Sequence, residues 1–354
     1  MSDRLLVGTR KGLFVYDRNG GWSITGRHFV GDPCNLVLHD PRDGAIYAVL
    51  SLGHFGVHIH RSDDGGLTWT EVGAPTYPEG GEESLKDIWA LEAGGDDQPG
   101  RLWAGTLPGG LFLSDDRGET WRLVESLWNE PERQRWFGGG ADVPGIHSVV
   151  VDPRDSKKVG VAVSCGGYWR SEDDGATWTV SSEGMYAEFM PPEGRNDPAI
   201  QDPHHVEACA THPDVLWCQH HNGAFRSVDG GLTWAEIHPQ PSKFGFPVAA
   251  HPTDPDTAWF VPAVKDECRV PVDGKVVVAR TRDGGATFDV LRNGLPQQDA
   301  YDLVFRHALH VDETGDRLAF GSTTGSLWLS EDGGDGWKTL SKHLPPVYAV
   351  RFVR

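Results

Sequence analysis

Ser62–Trp69 reads SDDGGLTW, and the same pattern, S/T-x-D-x-G-x-T-W/F, returns five more times along the 354-residue chain. The copies are SDDRGETW from Ser114, SEDDGATW from Ser171, SVDGGLTW from Ser227, TRDGGATF from Thr281 and SEDGGDGW from Ser330, the last with Gly336 where the others carry Thr. They recur at intervals of 49 to 57 residues. Each residue type in the pattern has a structural task. The Asp side chain accepts hydrogen bonds from the N–H groups of a tight turn. The Gly allows positive φ in that turn, and the Trp or Phe buries a large ring between neighbouring sheets. A unit of about 50 residues repeated along a chain marks an array of supersecondary units rather than separate domains.

Between the turns the chain alternates as strands do. Ile146–Asp152, Gly160–Val163 and Gly167–Ser171 read as strands one to three of one unit, and the turn delivers the chain into a fourth, Thr177–Ser181. Six such four-stranded units run from about Asn35 to Leu340. The two ends supply a seventh: PPVYAVRFVR offers a first strand, and RLLVGT, GLFVYD and WSITGRHF offer strands two to four, with Asp17–Trp22 as a degenerate turn. The expected fold is therefore all-β. It is a single seven-bladed β-propeller over residues 1–354, with six turn-pinned blades and one composite blade from residues 3–29 and 346–354. Pairing the ends removes the free sheet edge that an open ring would expose.

The six segments resemble the BNR/Asp-box repeats of sialidases, xyloglucanases, sortilin-type receptors and photosystem assembly factors. The resemblance covers nearly the whole chain. It implies the propeller fold and points toward the sialidase-like, glycosyl hydrolase group, but fold alone does not define function.

Composition narrows the partners. With 51 acidic and 32 basic residues the net charge is -19, which opposes binding to nucleic acid or an anionic membrane. A small-molecule or carbohydrate ligand is expected instead. Five Cys at irregular spacing, without a CxxC pair, read as free thiols of a reducing compartment. The N-terminus shows no secretory leader, so a cytoplasmic protein is expected.

Topology assigns the faces. The repeated turns join third to fourth strands at one rim, so the starts of the first strands and the two-to-three loops meet at the opposite rim. The long connections Gly73–Asp87, Ser126–Gly145, Glu183–His204 and Pro262–Lys275 also emerge there, and long loops on a rigid scaffold commonly carry function. Aligning the first strands on His147 brings Asn35, Trp89, His147, Glu207, Phe246, Asp302 and Tyr348 to one level at the channel mouth. The two-to-three loops add Arg10, His54 and the pair His220–His221. Trp136, from a long connection, offers a stacking surface for sugar.

Three functions follow as expectations. The first is a glycosidase-type hydrolase, in which Glu207 and Asp302 form the carboxylate pair that glycoside cleavage requires, Tyr348 assists, and Asn35, Arg10, Trp136 and His54 bind substrate. True sialidase activity is not expected, because the F/Y-R-I-P segment that supplies the first arginine of a carboxylate-binding triad is missing. The second is a metal-dependent hydrolase or lyase with one divalent ion held by His147, His205, Glu207 and His221, a donor set that suits transition metals. The third is a non-catalytic binding or assembly propeller.

Overall fold

The computed structural model describes residues 2–354. Seven four-stranded antiparallel sheets follow one another around a ring. Six are continuous in sequence. Blade three, for example, runs Ile146–Val151, Val159–Val163, Gly167–Ser171 and Thr179–Val180. The seventh is composite: Val347–Val353 is its first strand, followed by Arg4–Thr9, Gly12–Arg18 and Trp22–His28. Leu5 pairs with Phe352 and Val7 with Val350, so the ends close the ring through a backbone ladder. No helix among the described residues is long and apolar enough to cross a membrane.

The six repeated turns share one hydrogen-bond network. In the turn of blade four, Ser227 Oγ donates to Asp229 Oδ1 at 2.8 Å. Asp229 also accepts from Thr233 N at 2.9 Å and Thr233 Oγ1 at 2.6 Å, and Gly231 N donates back to Ser227 Oγ at 2.9 Å. The same arrangement holds at Asp64, Asp116, Asp173 and Asp283. At Asp332 the Gly336 N–H donates at 2.8 Å, but glycine has no hydroxyl to add. The motif aromatic reaches across to the previous blade: Trp234 Nε1 donates to Ser181 O at 2.9 Å and its ring meets Tyr168 edge-on. Asp17 does not build this network. It pairs with Arg4 at 2.7 Å and accepts from Thr25 Oγ1 at 2.7 Å, and Asn19 N to Gly21 O makes the hairpin instead.

The core lies between blades, where Trp103, Trp169, Trp217, Trp259 and Trp328 are fully buried. Burying such rings is worth about 25 cal/mol per Å² of apolar surface, and it fixes the blades as a frame for the channel.

Candidate functional site

Bulges in the first strands set what meets at each level of the channel. Pairing skips one residue at Asn35, Trp89, His147 and Tyr348. In blade four the skipped residue is His204, not Glu207. In blade six, regular pairing starts at Leu309 and Ala308 O accepts from Gly321 N, so His307 takes the position expected of Asp302. An extra residue in one strand shifts everything after it, and a sequence alignment does not register it. Glu207 therefore lies three positions deeper than expected, level with Glu92, His310 and Arg351.

Those deeper residues line a cavity of about 310 Å³. It extends from His147, His205 and His307 at the bulges to Pro153, Pro252 and Asp312. The latter three lie in first-to-second-strand connections, at the rim of the repeated turns. Arg351 ties the walls together, donating to Glu92 at 2.7 Å and approaching His310 Nε2 at 3.2 Å. Burial opposes a charge on Arg351, but Glu92 outweighs it and the guanidinium is held more firmly protonated. Glu207 Oε2 accepts from Ala250 N at 3.0 Å, while Oε1 lies 3.8 Å from His205 Nε2. Burial pushes the Glu207 carboxyl up to about 7 against the pull of that hydrogen bond and of Arg351.

At the opposite mouth a second cluster forms. Asp202, His204 and His221 place one ligand atom each within 4.8 Å of one another, the one such set of three among the described residues. Burial would raise the Asp202 carboxyl, yet His204 and His221 overcome it and hold it well below the usual range. Arg306 stands beside them, its guanidinium carbon 5.2 Å from the Trp89 ring and 5.4 Å from Phe246.

The residues expected from sequence divide accordingly. Glu207, His205 and His147 line the cavity, whereas His221 belongs to the mouth cluster with Asp202. The expected quartet is thus corrected: His221 sits with Asp202 and His204, and the bulge carries Glu207 down the strand away from it. His147 is fully buried, its Nδ1 3.2 Å from Ser148 Oγ. Asp302 and Tyr348 do not line the cavity. Asp302 accepts from Ser322 Oγ at 2.7 Å and from Thr324 Oγ1, and Tyr348 packs on Phe305. Asn35 donates to Ser51 Oγ at 2.8 Å and Asp87 Oδ2 at 3.0 Å. Arg10 is exposed, and so is His54, whose ring lies on Phe55. Trp136 does not present a stacking face; it is buried edge-on to Trp169. Sequence reasoning missed Glu92, Arg351, His204, Asp202 and Arg306. Only Asp202 and His204 carried a local signal, the DPHH segment.

Fold and channel together define a seven-bladed β-propeller with polar residues at two depths of its axis. No protein-family model matches the sequence. An oligoxyloglucan-reducing end-specific xyloglucanase of Emericella nidulans is 25% identical over 307 residues, 80% of this chain and 31% of that protein. A xyloglucanase of Acetivibrio thermocellus is 24% identical over 267 residues, 66% of this chain and 29% of that protein. The chain thus spans about a third of the length of these relatives. Among solved structures, an ancestral GH74 enzyme superposes with a TM-score of 0.62 at 15% identity, over 87% of this chain and 38% of that one. YCF48 from Cyanidioschyzon merolae gives 0.58 at 15% identity, over 94% and 96%. These structural likenesses concern the fold.

Proposed function

We propose that this propeller is a glycosidase-type hydrolase of the Asp-box kind, acting on a carbohydrate in the channel cavity. The observation that carries the reading is the pair Glu92 and Glu207. They occupy equivalent positions on the first strands of blades two and four and line one cavity. Their surroundings differ: Glu92 is ion-paired with Arg351, while burial favours the protonated form of Glu207. Two carboxyl groups in such different surroundings suit acid and base roles in glycoside cleavage. Glu207 donates its proton to the leaving oxygen, and Glu92 serves as base or nucleophile. This assignment keeps Glu207 from the sequence reading and puts Glu92 in place of Asp302. Similarity to xyloglucanases supports the carbohydrate class, and about 310 Å³ is at the small end of ligand sites, which favours a short saccharide or chain end.

The test is a panel of aryl glycosides and xyloglucan oligosaccharides. Wild-type turnover should fall by about 10²–10⁴ in Glu207→Gln, as for loss of a general acid, and comparably in Glu92→Gln. Folded protein without turnover on any member would refute the reading.

A further inference from the structure

The mouth cluster has the construction of a metal site. Asp202 uses its two oxygens differently. Oδ1 accepts from Ser164 Oγ at 3.1 Å and Cys165 N at 3.2 Å. Oδ2 faces two imidazole nitrogens, His221 Nδ1 at 3.4 Å and His204 Nε2 at 3.7 Å. Both distances exceed a charge-assisted hydrogen bond, which closes to about 2.7–2.9 Å. They match the edge of a tetrahedron with bonds of about 2.1 Å, roughly 3.4 Å. The second shell is in place as well. His204 Nδ1 donates to Gly245 O at 2.7 Å, which puts the proton there and turns the Nε2 lone pair toward Asp202. An imidazole fixed through its other nitrogen is the usual arrangement of a ligating histidine.

Arg306 supplies a second, independent observation. Among the described residues its guanidinium has no ion-pair or hydrogen-bond partner, although the chain carries a large acidic excess. It stands over Phe246, the ring that also stacks on His204 with centroids 4.6 Å apart. A guanidinium held among aromatic rings with its Nε buried and no direct ion pair lacks the contact that usually compensates such burial.

From this geometry we infer that Asp202, His204 and His221 bind one divalent transition metal, and that the open coordination position together with Arg306 takes the oxyanion of a small ligand, a carboxylate or a phosphate. Three protein ligands with a vacant fourth position are the arrangement that leaves room for an exogenous group. Neither member of the Glu92–Glu207 pair takes part, so this site stands or falls separately from the glycosidase reading. Glycine at position 139 lets the chain pass over the cluster: a Cβ there would lie 3.3 Å from Asp202 Oδ2 and 2.8 Å from Cys165 Sγ.

The full chain, stripped with a chelator, is titrated with Co(II), whose tetrahedral complexes absorb visible light. One Co(II) per chain, displaced by Zn(II), is expected. His221→Ala should lose the absorption, and His205→Ala should keep it. Glucuronate or inorganic phosphate should shift the bands and show which oxyanion is preferred, while glucose leaves them unchanged. Arg306→Gln should bind Co(II) as before and weaken the oxyanion response by about tenfold or more. Absence of stoichiometric cobalt, or unchanged bands in His221→Ala, overturns the metal. Thermal melts confirm that the variant compared is folded, and the wild-type stoichiometry needs no variant. Equal responses to glucose and both anions, or an undiminished response in Arg306→Gln, overturn the oxyanion site.

Discussion

The rim of repeated turns and the axis of the ring use the same residue types to opposite ends. At the rim, each Asp has its oxygens occupied by one or two hydroxyls and one or two turn N–H groups, within five residues of sequence. The acid is satisfied locally, and at Asp64 those bonds hold the carboxyl low, at about 2. Along the axis, Glu207 and Arg306 are surrounded by other blades and incompletely matched. A group with all its partners stabilises a turn; a group left partly unmatched is available to a ligand or a proton. The ring therefore separates fully satisfied polar groups at the rim from partly unmatched ones along the axis.

The largest effect tests the frame common to both regions. Deleting residues 347–354 removes the first strand of the composite blade and exposes the edge of Arg4–Thr9. Loss of soluble, cooperatively melting protein is expected; a truncated chain with an unchanged melt would show that the ring does not depend on this closure.

Next comes the charge on Glu207. Its carboxyl is raised in the folded state, so ionisation opposes folding: stability is full below about 4.5, the value of an ordinary Glu, and falls as pH rises toward 7. With Arg351, Glu92, His205 and His310 around it, the swing should be of order 1–3 kcal/mol. Denaturant melts from pH 4 to 8 should show Glu207→Gln gaining on the wild type over that window. Parallel curves would mean that the channel hydrates the carboxylate fully.

At the rim, Asp229→Ala strips three hydrogen bonds from one turn and should cost about 1–3 kcal/mol. Any catalytic rate should stay the same, and a selective loss of turnover would erase the contrast between rim and axis. The smallest effect is a gain. Gly336→Thr would give the sixth turn the hydroxyl that the other five have, and its backbone is not in the positive-φ region. The new Cβ would come 3.1 Å from Asp332 Oδ2, close enough that the turn must yield slightly. A net stabilisation of about 0.5–1 kcal/mol in a thermal melt is expected.

The fold was legible because its information is local. Six Asp–Gly–aromatic turns can be read one at a time, and the composite blade follows from counting strands. The site was legible only in part. Glu207, His205 and His221 were found as chemistry-bearing residues on the inner strands and upper loops, but Glu92, Arg351 and Arg306 were not. The bulges at His204 and before Leu309 shift the register without leaving a mark in the residue pattern. Arg351, near one end of the chain, meets Glu92 only after the ring has closed. Trp136 reads as a sugar platform by residue type, and only packing shows that Trp169 already covers it.

The ladder between Leu5 and Phe352 also bears on how the molecule is made. A ribosome delivers Arg4–Arg18 before the six continuous blades and Val347–Val353 after them, so the earlier strands must wait through the synthesis of six blades with one edge unpaired. The blades in between can form as they emerge, since their contacts are close in sequence, but the final pairing spans nearly the entire chain and is slow for that reason. Arg351 arrives on that last strand, so the Glu92–Arg351 bridge is assembled at the moment of closure and an unfinished chain carries no complete channel.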